Sequence, residues 1–289
     1  MLKVLPCLDS EEMAMDRKKE LRISRARAIE LGRSAVQYSK QGFYITDNGN
    51  RVNIKDYVQN ACKSKISIPP DADLPEGNGL YFEETIVQVS NETTLGAAKR
   101  LVEDGKKPLA LNFANGINPG GGFLHGARAQ EETICRSSAL YLTLVGDPMY
   151  EFHKKRPLPD STDWAIYSPD VPVFRDDDGE LLDKPWLLSF ITCAAPYAPT
   201  VGQPLSRELL KKRIYRILSI AKAYGYKTLV LGAWGCGAFG NDPYFTAKDF
   251  KTELETEFDG FFSHVVFAIS DWSPERRTLG IFCEVFSQK

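Results

Sequence analysis

The segment Pro108–Glu132 reads PLALNFANGINPGGGFLHGARAQEE and contains the strand, the loop and the start of the helix of one strand–loop–helix unit of the predicted fold. Its first six residues, Pro108–Phe113, form an apolar run with the length of a buried strand. A glycine-rich loop follows, and a helix is predicted across Glu131–Leu144. A buried strand that leads through such a loop into a helix is the repeating unit of α/β folds, in which ligands bind where these loops leave the strands.

The same arrangement occurs a second time near the C-terminal end. The strand Thr228–Leu231 leads into GAWGCGAFG, residues 232–240, and then into a helix at Phe245–Glu257. Other strands are predicted at Ile86–Val89, Trp164–Tyr167, Trp186–Cys193 and His264–Ile269, and other helices at Leu95–Glu103, capped by Asn91 or Thr93, and Ser206–Ala223. Strands that alternate with helices predict an α/β fold with a mixed or mostly parallel sheet.

The first 79 residues have a different character. Residues 10–40 have the spacing of an amphipathic helix, and Tyr44 and Val52 flank turn residues as in a short hairpin. Prolines and glycines accumulate over Ile68–Gly79, which indicates a linker. We therefore expect a mostly helical extension over residues 1–79 and a separate α/β domain over residues 80–289.

Composition excludes several classes of protein. The net charge of -2 and the pI of about 6.0 lack the basic footprint of an unspecific nucleic-acid binder. No apolar stretch has the length of a membrane span, and the charged N-terminus does not resemble a signal peptide. The six cysteines have no zinc-ligand spacing, and the 43% of hydrophobic residues suffices for a core without disulfides or metals. We expect a cytoplasmic protein, a monomer, with neither nucleic acid nor a membrane as partner.

The two glycine-rich loops suggest a phosphate site. Glycines allow the backbone to approach a ligand, and successive free N–H groups form a concave site for anions. Either loop alone could be a tight turn, but two such loops after buried strands favour a diphosphate ligand. Neither matches a P-loop, because no Gly-Lys-Ser/Thr sequence follows, and the GxGxxG spacing at Gly235–Gly240 is a weak match by itself.

Two adjacent carboxylates, Glu131 and Glu132, follow the first loop closely. Acidic residues at a helix N-terminus often only complement the helix dipole. Beside a ligand-binding loop, however, one carboxylate could hold a sugar hydroxyl while the other, protonated, supplies a proton to a leaving oxygen. A closed cleft and a negative neighbour would provide the raised pKa that such an acid requires.

These residues resemble a known family. The run Gly120-Gly-Gly, seven residues and then Gln130-Glu-Glu is similar to the GGG-x(6–8)-QEE signature of poly(ADP-ribose) glycohydrolases, and the surrounding sequence resembles their microbial type. The loop GAWGCGAFG is similar to the diphosphate loop of that family. The resemblance extends over roughly residues 85–270 and implies a macrodomain-like α/β fold.

The resemblance implies a role for each matching residue. Glu132 would be the catalytic acid, and Glu131 would hold the ribose hydroxyls beside the scissile bond. Gln130 would position this pair or cap its helix. The remaining residues implied to contact the substrate are Asn115 at the distal ribose, Gly121 and Gly122 in the first loop, Gly235, Cys236, Gly237 and Ala238 around the diphosphate, and Phe239 against the ribose at the reacting end.

The implied mechanism needs no cofactor. Glu132 protonates the leaving oxygen, the diphosphate of the substrate stabilises the oxocarbenium-like ribose, and the ionised Glu132 then activates water. The substrate would be ADP-ribose in poly(ADP-ribose). Two alternatives stay open: hydrolysis of mono-ADP-ribosylated protein, for example at arginine, and a non-catalytic module that only binds ADP-ribose. The acid pair argues against the last, because two carboxylates beside an anionic ligand weaken simple binding.

Other side chains in the sequence invite functional interpretations that are weaker than structural ones. Cys236 lies in the second loop but has no histidine near it in sequence to activate a thiolate. His125 could line the cleft or lie on the surface. Trp234 and Trp272 could stack on adenine, but we expect both to pack in the core. Asp176–Asp178 is predicted to be a solvated turn that Gly179 closes.

Overall fold

A computed structural model describes residues 1–77 and 81–288 of the chain. Strands and helices alternate over residues 85–137 and 228–287, as predicted, whereas among the described residues strands follow one another directly at 43–53, 66–90 and 165–193. The strands are β1 (Leu2–Val4), β2 (Phe43–Ile45), β3 (Arg51–Asn53), β4 (Ile66–Ile68), β5 (Thr85–Ser90), β6 (Pro108–Phe113), β7 (Ala165–Arg175), β8 (Leu181–Cys193), β9 (Thr228–Leu231) and β10 (His264–Ala268). The helices are α1 (Glu11–Leu21), α2 (Arg25–Gln41), α3 (Lys55–Ser64), α4 (Thr94–Glu103), α5 (Gln130–Ser137), α6 (Leu140–Leu144), α7 (Pro148–Lys154), α8 (Ala198–Val201), α9 (Leu205–Ala223), α10 (Pro243–Glu255) and α11 (Leu279–Ser287).

Eight strands form one mixed sheet in the order β1-β5-β10-β9-β6-β8-β7-β4, which confirms the predicted fold class. The six strands from β1 to β8 in this order are parallel, and β7 and β4 extend the sheet in antiparallel orientation. The strand β6 lies between β9 and β8. Because β6 and β9 are parallel neighbours, the loops at their carboxyl ends meet at the same edge of the sheet.

Helices cover both faces of the sheet. Side chains along β6 alternate between the two core clusters, with Leu109 and Leu111 in one and Ala110 in the other. The first cluster includes buried residues of α9, α10 and α11, and the second includes buried residues of α4, α5 and α6. The sheet that carries both glycine-rich loops is thus packed between two layers of helices.

Two predicted helices are interrupted in the structure. Residues 10–40 form α1 and α2 with a break after Leu21, because Ser24 is extended and its hydroxyl caps α2 by accepting a hydrogen bond from Arg27 N. The predicted helix Glu131–Leu144 is likewise divided into α5 and α6. Ser138 between them is extended, and its hydroxyl donates to Ile134 O while accepting from Leu140 N.

The first 79 residues contribute to the same sheet. β1 pairs with β5 at one edge and β4 pairs with β7 at the other, while β2 and β3 form the predicted hairpin. The linker prediction over residues 68–79 ends outside the described residues, as does the boundary after residue 79. Within the described part, Ile68 closes β4 and Arg216 donates hydrogen bonds to Pro69 O and Ala72 O. The division into extension and catalytic domain stays a prediction.

A disulfide joins Cys7, just after β1, to Cys283 on α11. The composition offered no reason to expect this bond, because the chain holds enough apolar residues to fold without one. The two cysteines are 276 residues apart in sequence, so only the folded chain brings them together. The bond connects the N-terminal segment to the last helix.

Candidate active site

A cavity of about 350 Å³ lies at the carboxyl ends of β6 and β9. Both glycine loops were predicted to bind a ligand. Residues of the second loop line this cavity, whereas the first loop is represented only by Phe113 and by residues that follow it, from Arg128 onward. The residues lining the cavity include Phe113 and Gln130 from the first region, Ala233, Cys236 and Gly237 from the second, and Trp272.

The acid pair lies in the first turn of α5 and follows Gln130, which lines this cavity, although neither glutamate does. Only 3% of Glu131 and 8% of Glu132 is exposed. The preceding residue, Gln130, makes hydrogen bonds through both the oxygen and the nitrogen of its side-chain amide. Its Oε1 accepts from Phe113 N at 2.8 Å, and its Nε2 donates to Leu111 O at 2.7 Å and Thr94 Oγ1 at 3.0 Å. Gln130 therefore fixes α5 against β6 and α4, which suits the positioning role predicted for it.

Glu131 is held by hydrogen bonds at both carboxyl oxygens. Oε2 accepts from Asn115 N at 2.7 Å, and Oε1 accepts from Asn112 Nδ2 at 3.2 Å. Burial raises the pKa of Glu131 to about 8, with a further increase from the charge of Glu132, although these hydrogen bonds favour the ionised form. Burial thus favours the protonated form of Glu131 above the pH range in which a carboxyl ordinarily titrates.

Asn112 is a functional candidate that sequence reasoning missed. It is fully buried at the end of β6, and its Nδ2 also donates to Thr192 Oγ1 of β8 at 3.2 Å. The amide oxygen of Asn112 has no hydrogen-bond partner among the described residues. An amide within the otherwise apolar run PLALNF was the one signal in the sequence, because a polar group in a buried strand needs a partner.

Glu132 differs from Glu131 in having one free oxygen. Its Oε1 accepts from Gly122 N at 2.9 Å, whereas Oε2 makes no hydrogen bond to any of the described residues. A Cβ on Gly121 would lie 2.2 Å from Oε1 of Glu132 and 3.1 Å from Oε2 of Glu131. Gly121 also has a φ of +59°, so this position requires glycine for both space and conformation.

Asn115 connects the first loop to the acid pair. Its backbone N–H binds Glu131, and its side-chain oxygen accepts from Ile117 N at 3.0 Å and Asn118 N at 2.9 Å. The side-chain Nδ2 has no partner within residues 1–77 and 81–288 and can donate to a ligand. Asn115 thus lies beside the acid pair, as a contact with the distal ribose would require.

The second loop is shaped by Asn241, a residue that sequence reasoning did not identify. Its Nδ2 donates to Pro196 O at 2.9 Å and Gly235 O at 3.2 Å, and its Oδ1 accepts from Ser206 Oγ at 2.8 Å. A Cβ on Gly237, by contrast, would have no neighbour within 4 Å. Asn241 therefore fixes the loop, and the space beside Gly237, which lines the cavity, is open.

Three other residues of the second loop, Cys236, Ala238 and Phe239, were predicted to contact the substrate. Ala238 adjoins Phe239, whose ring packs edge-on against Tyr197 with the centroids 5.8 Å apart. Cys236 lines the cavity, and burial raises the pKa of its thiol to about 12. A protonated thiol is a poor nucleophile, which agrees with the expectation that this loop acts through its backbone.

Three other side chains and one turn were considered in the sequence. Trp234 is fully buried in the core, as expected, and His125 is exposed on the surface. The expectation of core packing was wrong for Trp272, which is 41% exposed and lines the cavity. The turn at Asp176–Asp178 forms, but Asp177 is not solvated: it accepts a hydrogen bond from Thr93 Oγ1 at 2.6 Å, and burial raises its pKa to about 6.

Metal sites and membrane spans can be considered over residues 1–77 and 81–288. Within these ranges, no group of three or more His, Cys, Asp or Glu side chains is placed to hold a metal ion. Nor is any helix of the described part both long and apolar enough to cross a membrane.

The sequence and the structure are similar to known glycohydrolases. Residues 32–176 match the family model of the microbial-type PARG catalytic domain. The poly(ADP-ribose) glycohydrolase of Thermomonospora curvata is 37% identical with a TM-score of 0.83, and the match covers 90% of this chain and 100% of that one. The same enzyme bound to the inhibitor ADP-HPD is 39% identical with a TM-score of 0.84, with 90% and 99% covered. The enzyme of Deinococcus radiodurans in complex with ADP-ribose is 39% identical with a TM-score of 0.74, with 82% and 99% covered. No curated protein matches the sequence.

Proposed function

The chain belongs to the microbial-type poly(ADP-ribose) glycohydrolase family, and from this premise we propose that it hydrolyses ribose–ribose O-glycosidic bonds and releases ADP-ribose. The observation that supports this most directly is the asymmetry of the acid pair. Glu131 is bonded at both oxygens, whereas Glu132 is bonded at one and, among the described residues, free at the other. A general acid requires such a fixed carboxyl group with a free oxygen within reach of the substrate.

The proposed placement of the substrate follows the shape of the cavity. The open backbone around Gly237 receives the diphosphate, since N–H groups that face open space can bind phosphate oxygens. The distal ribose lies between Asn115, the acid pair and Phe239. Trp272 offers an exposed ring for the adenine at the other end. The Deinococcus radiodurans enzyme named above contains ADP-ribose in its structure, which supports a ligand of this size.

In the proposed reaction, Glu132 transfers a proton to the oxygen of the leaving ribose, and the C–O bond to the distal ribose breaks. The positive charge that develops on that ribose is stabilised by the nearby diphosphate of the substrate. Glu132, now ionised, accepts a proton from water as the water oxygen bonds to the same carbon. Glu131 holds the ribose hydroxyls beside the bond that breaks.

The decisive experiment compares two substrates. Purified protein is incubated with poly(ADP-ribose) and separately with arginine-linked mono-ADP-ribosylated protein, and released ADP-ribose is quantified. We expect release from the polymer, and its loss in Glu132→Gln. Glu257→Gln is the matched control, because it removes an exposed carboxyl beyond the C-terminal end of α10, whereas the second loop lies at the N-terminal end of that helix.

The other outcomes would support a different function. Release from the mono-modified protein alone would make the chain a mono-ADP-ribosyl hydrolase. No release from either substrate, with ADP-ribose still bound in calorimetry, would overturn the role of Glu132 and indicate a module that only binds ADP-ribose.

We also propose that the protein is related to macrodomains, that it is a monomer and that it is cytoplasmic. The mixed sheet with helices on both faces supports the first. The free cysteines 62, 135, 193 and 236 support the last, because free thiols are typical of reducing compartments. The Cys7–Cys283 bond is the feature that argues against that location. Alkylation of the protein inside intact cells, followed by mass spectrometry, would show whether the bond is present there.

A further inference from the structure

A second cavity lies on the other side of the second glycine loop. Its volume is about 370 Å³, close to the 350 Å³ of the first cavity. It opens between the N-terminal ends of α9 and α10, and its walls include Gln203, Arg207, Gly240, Asn241, Phe245 and Asp249. All six residues lie beyond residue 176, outside the segment that matches the family model.

The two cavities share the second loop as a wall. Cys236 and Gly237 face the first cavity, whereas Gly240 and Asn241 face the second. Phe239, proposed to contact the ribose at the reacting end, directly precedes Gly240 in the chain. The proposed site of the reacting ribose thus adjoins the end of the loop that borders the second cavity.

The walls of the second cavity have the chemistry to bind a nucleotide base. The guanidinium of Arg207 lies over the ring of Phe245 at 3.7 Å from the centroid, forming a flat cationic and aromatic surface. Aromatic rings and arginine planes of this kind stack on bases in single-stranded nucleic acids. Adenine presents the same flat face in poly(ADP-ribose).

The polar groups of this cavity suit the rest of a ribonucleotide. Asp249 is only 5% exposed, and its Oδ1 lies 3.8 Å from Arg207 Nη2. The carboxylate can accept a hydrogen bond from an amino group or a sugar hydroxyl. Burial raises the pKa of Asp249, and the positive charges of Arg207, Lys211 and Lys248 oppose this rise. These basic side chains offset the charge of the carboxylate, so that an anionic chain can approach.

We propose that this second cavity is a subsite for the ADP-ribose unit on the leaving side of the scissile bond, whose adenine stacks on the surface formed by Phe245 and Arg207. This inference rests on the proposed function, because it assumes that the reacting ribose lies between Glu132 and Phe239. The subsite would distinguish polymer from mono-ADP-ribosylated protein, in which no second ADP-ribose unit follows the scissile bond.

The test measures two kinds of binding separately. One is the binding of the leaving unit of the polymer, and the other is the binding of free ADP-ribose. Phe245→Ala and Arg207→Ala are assayed for kcat and KM on poly(ADP-ribose), and their Kd for free ADP-ribose is measured by calorimetry. Loss of one stacking contact should raise the KM for polymer on the order of tenfold. The Kd for ADP-ribose, which occupies the first cavity, should stay unchanged.

Tyr215→Ala is the matched control, because it removes an exposed ring from α9 that packs against Phe258 rather than lining the cavity. Arg207→Lys tests the stacking itself, since lysine retains the charge but not the plane, and it should resemble Arg207→Ala. Thermal unfolding of each variant identifies any loss of fold.

Two results would overturn the subsite. An unchanged polymer KM in both alanine variants would show that the leaving unit does not bind there, while polymer hydrolysis by the native enzyme would leave the proposed function intact. An equal rise in KM and in the Kd for ADP-ribose would show that these residues act through the second loop instead. Absence of hydrolysis by the native enzyme would count against the proposed function itself.

Discussion

The two glycine-rich loops look alike in sequence, but their glycines serve different purposes. A Cβ on Gly121 of the first loop would collide with the Glu132 carboxyl at 2.2 Å, so the space that this glycine leaves is occupied by the protein. A Cβ on Gly237 of the second loop would meet nothing within 4 Å, so the space beside this glycine is open. Glycine content alone does not distinguish a loop that packs against other side chains from one that leaves open space.

The loops also differ in how they are held. The first is fixed from within the site, by Glu131 and Glu132, which accept hydrogen bonds from Asn115 N and Gly122 N. The second is fixed from outside, by Asn241 with support from Ser206 of α9. We therefore expect changes to the first loop to affect turnover and pH dependence, and changes to the second to affect affinity.

The largest expected effect is the dependence of stability on the Glu131 proton. Its folded-state pKa of about 8 is raised above the ordinary value of 4.5, chiefly by burial. As pH rises from about 4.5 to 8, the unfolded chain releases this proton while the folded chain keeps it, so the free energy of unfolding falls. In Glu131→Gln this decline is absent, and the variant should become more stable than the native protein by a few kcal/mol at about pH 9.

Urea unfolding across this pH range would measure the difference. The amide introduced by Glu131→Gln can be accommodated, because the unpartnered oxygen of Asn112 becomes available to it when the Asn112 amide rotates. Below about pH 4 the difference should be small, since both the folded and the unfolded state of the native protein then hold the proton. An equally large gap in the surface control Glu257→Gln would contradict the assignment to Glu131.

The next effect is on turnover, in Gly121→Ala. The added methyl would displace the Glu132 carboxyl, and a displacement of about 1 Å at a catalytic group costs roughly 100-fold in rate. Initial rates on poly(ADP-ribose) at saturation would measure it. Gly49→Ala is the control for backbone strain, since Gly49 has a φ of +80° but open space around it. A similar loss of activity in Gly49→Ala would mean that the displacement of Glu132 is not the cause.

The elements that frame both loops could be predicted from sequence because their signals are local. The strands Pro108–Phe113 and Thr228–Leu231 were predicted with the bounds that the structure has, since each is a short apolar run between polar or turn residues. The strands β1 and β4 were missed. Each has three residues at an edge of the sheet, too few to show a period.

The residues that hold the loops were missed for a different reason. Asn112 acts together with Thr192 of β8, and Asn241 together with Ser206 of α9, and these partners lie 80 and 35 residues away in sequence. Their roles depend on which strands and helices become neighbours, which no local pattern specifies. The acid pair could be identified because it lies within the same motif as its loop.

A smaller effect is expected at Asn241, which tests whether the second loop governs affinity. Asn241→Asp retains the shape of the side chain but places a carboxylate oxygen against Pro196 O and Gly235 O, where a donor is needed. We expect the Kd for ADP-ribose to rise about tenfold, the equivalent of one lost hydrogen bond, with kcat at saturation nearly unchanged.

Ser206→Ala is the milder companion variant, because it removes only the hydroxyl that orients the Asn241 amide. It should shift the Kd in the same direction by less. A fall in kcat with an unchanged Kd in either variant would contradict the expectation that the second loop affects affinity, because the loop would then affect turnover.

The smallest change is expected in Gly237→Ala, and it separates the two loops most directly. Its methyl group meets no protein atom within 4 Å, so thermal stability should be unchanged. The methyl projects into the space proposed for the diphosphate, and the Kd for ADP-ribose should rise severalfold while kcat at saturation is retained. Gly280→Ala on α11, where a Cβ makes only ordinary contacts, is the control and should alter neither quantity. If Gly237→Ala binds ADP-ribose as tightly as the native protein, the ligand does not approach this loop, and the open space at Gly237 is not a phosphate site.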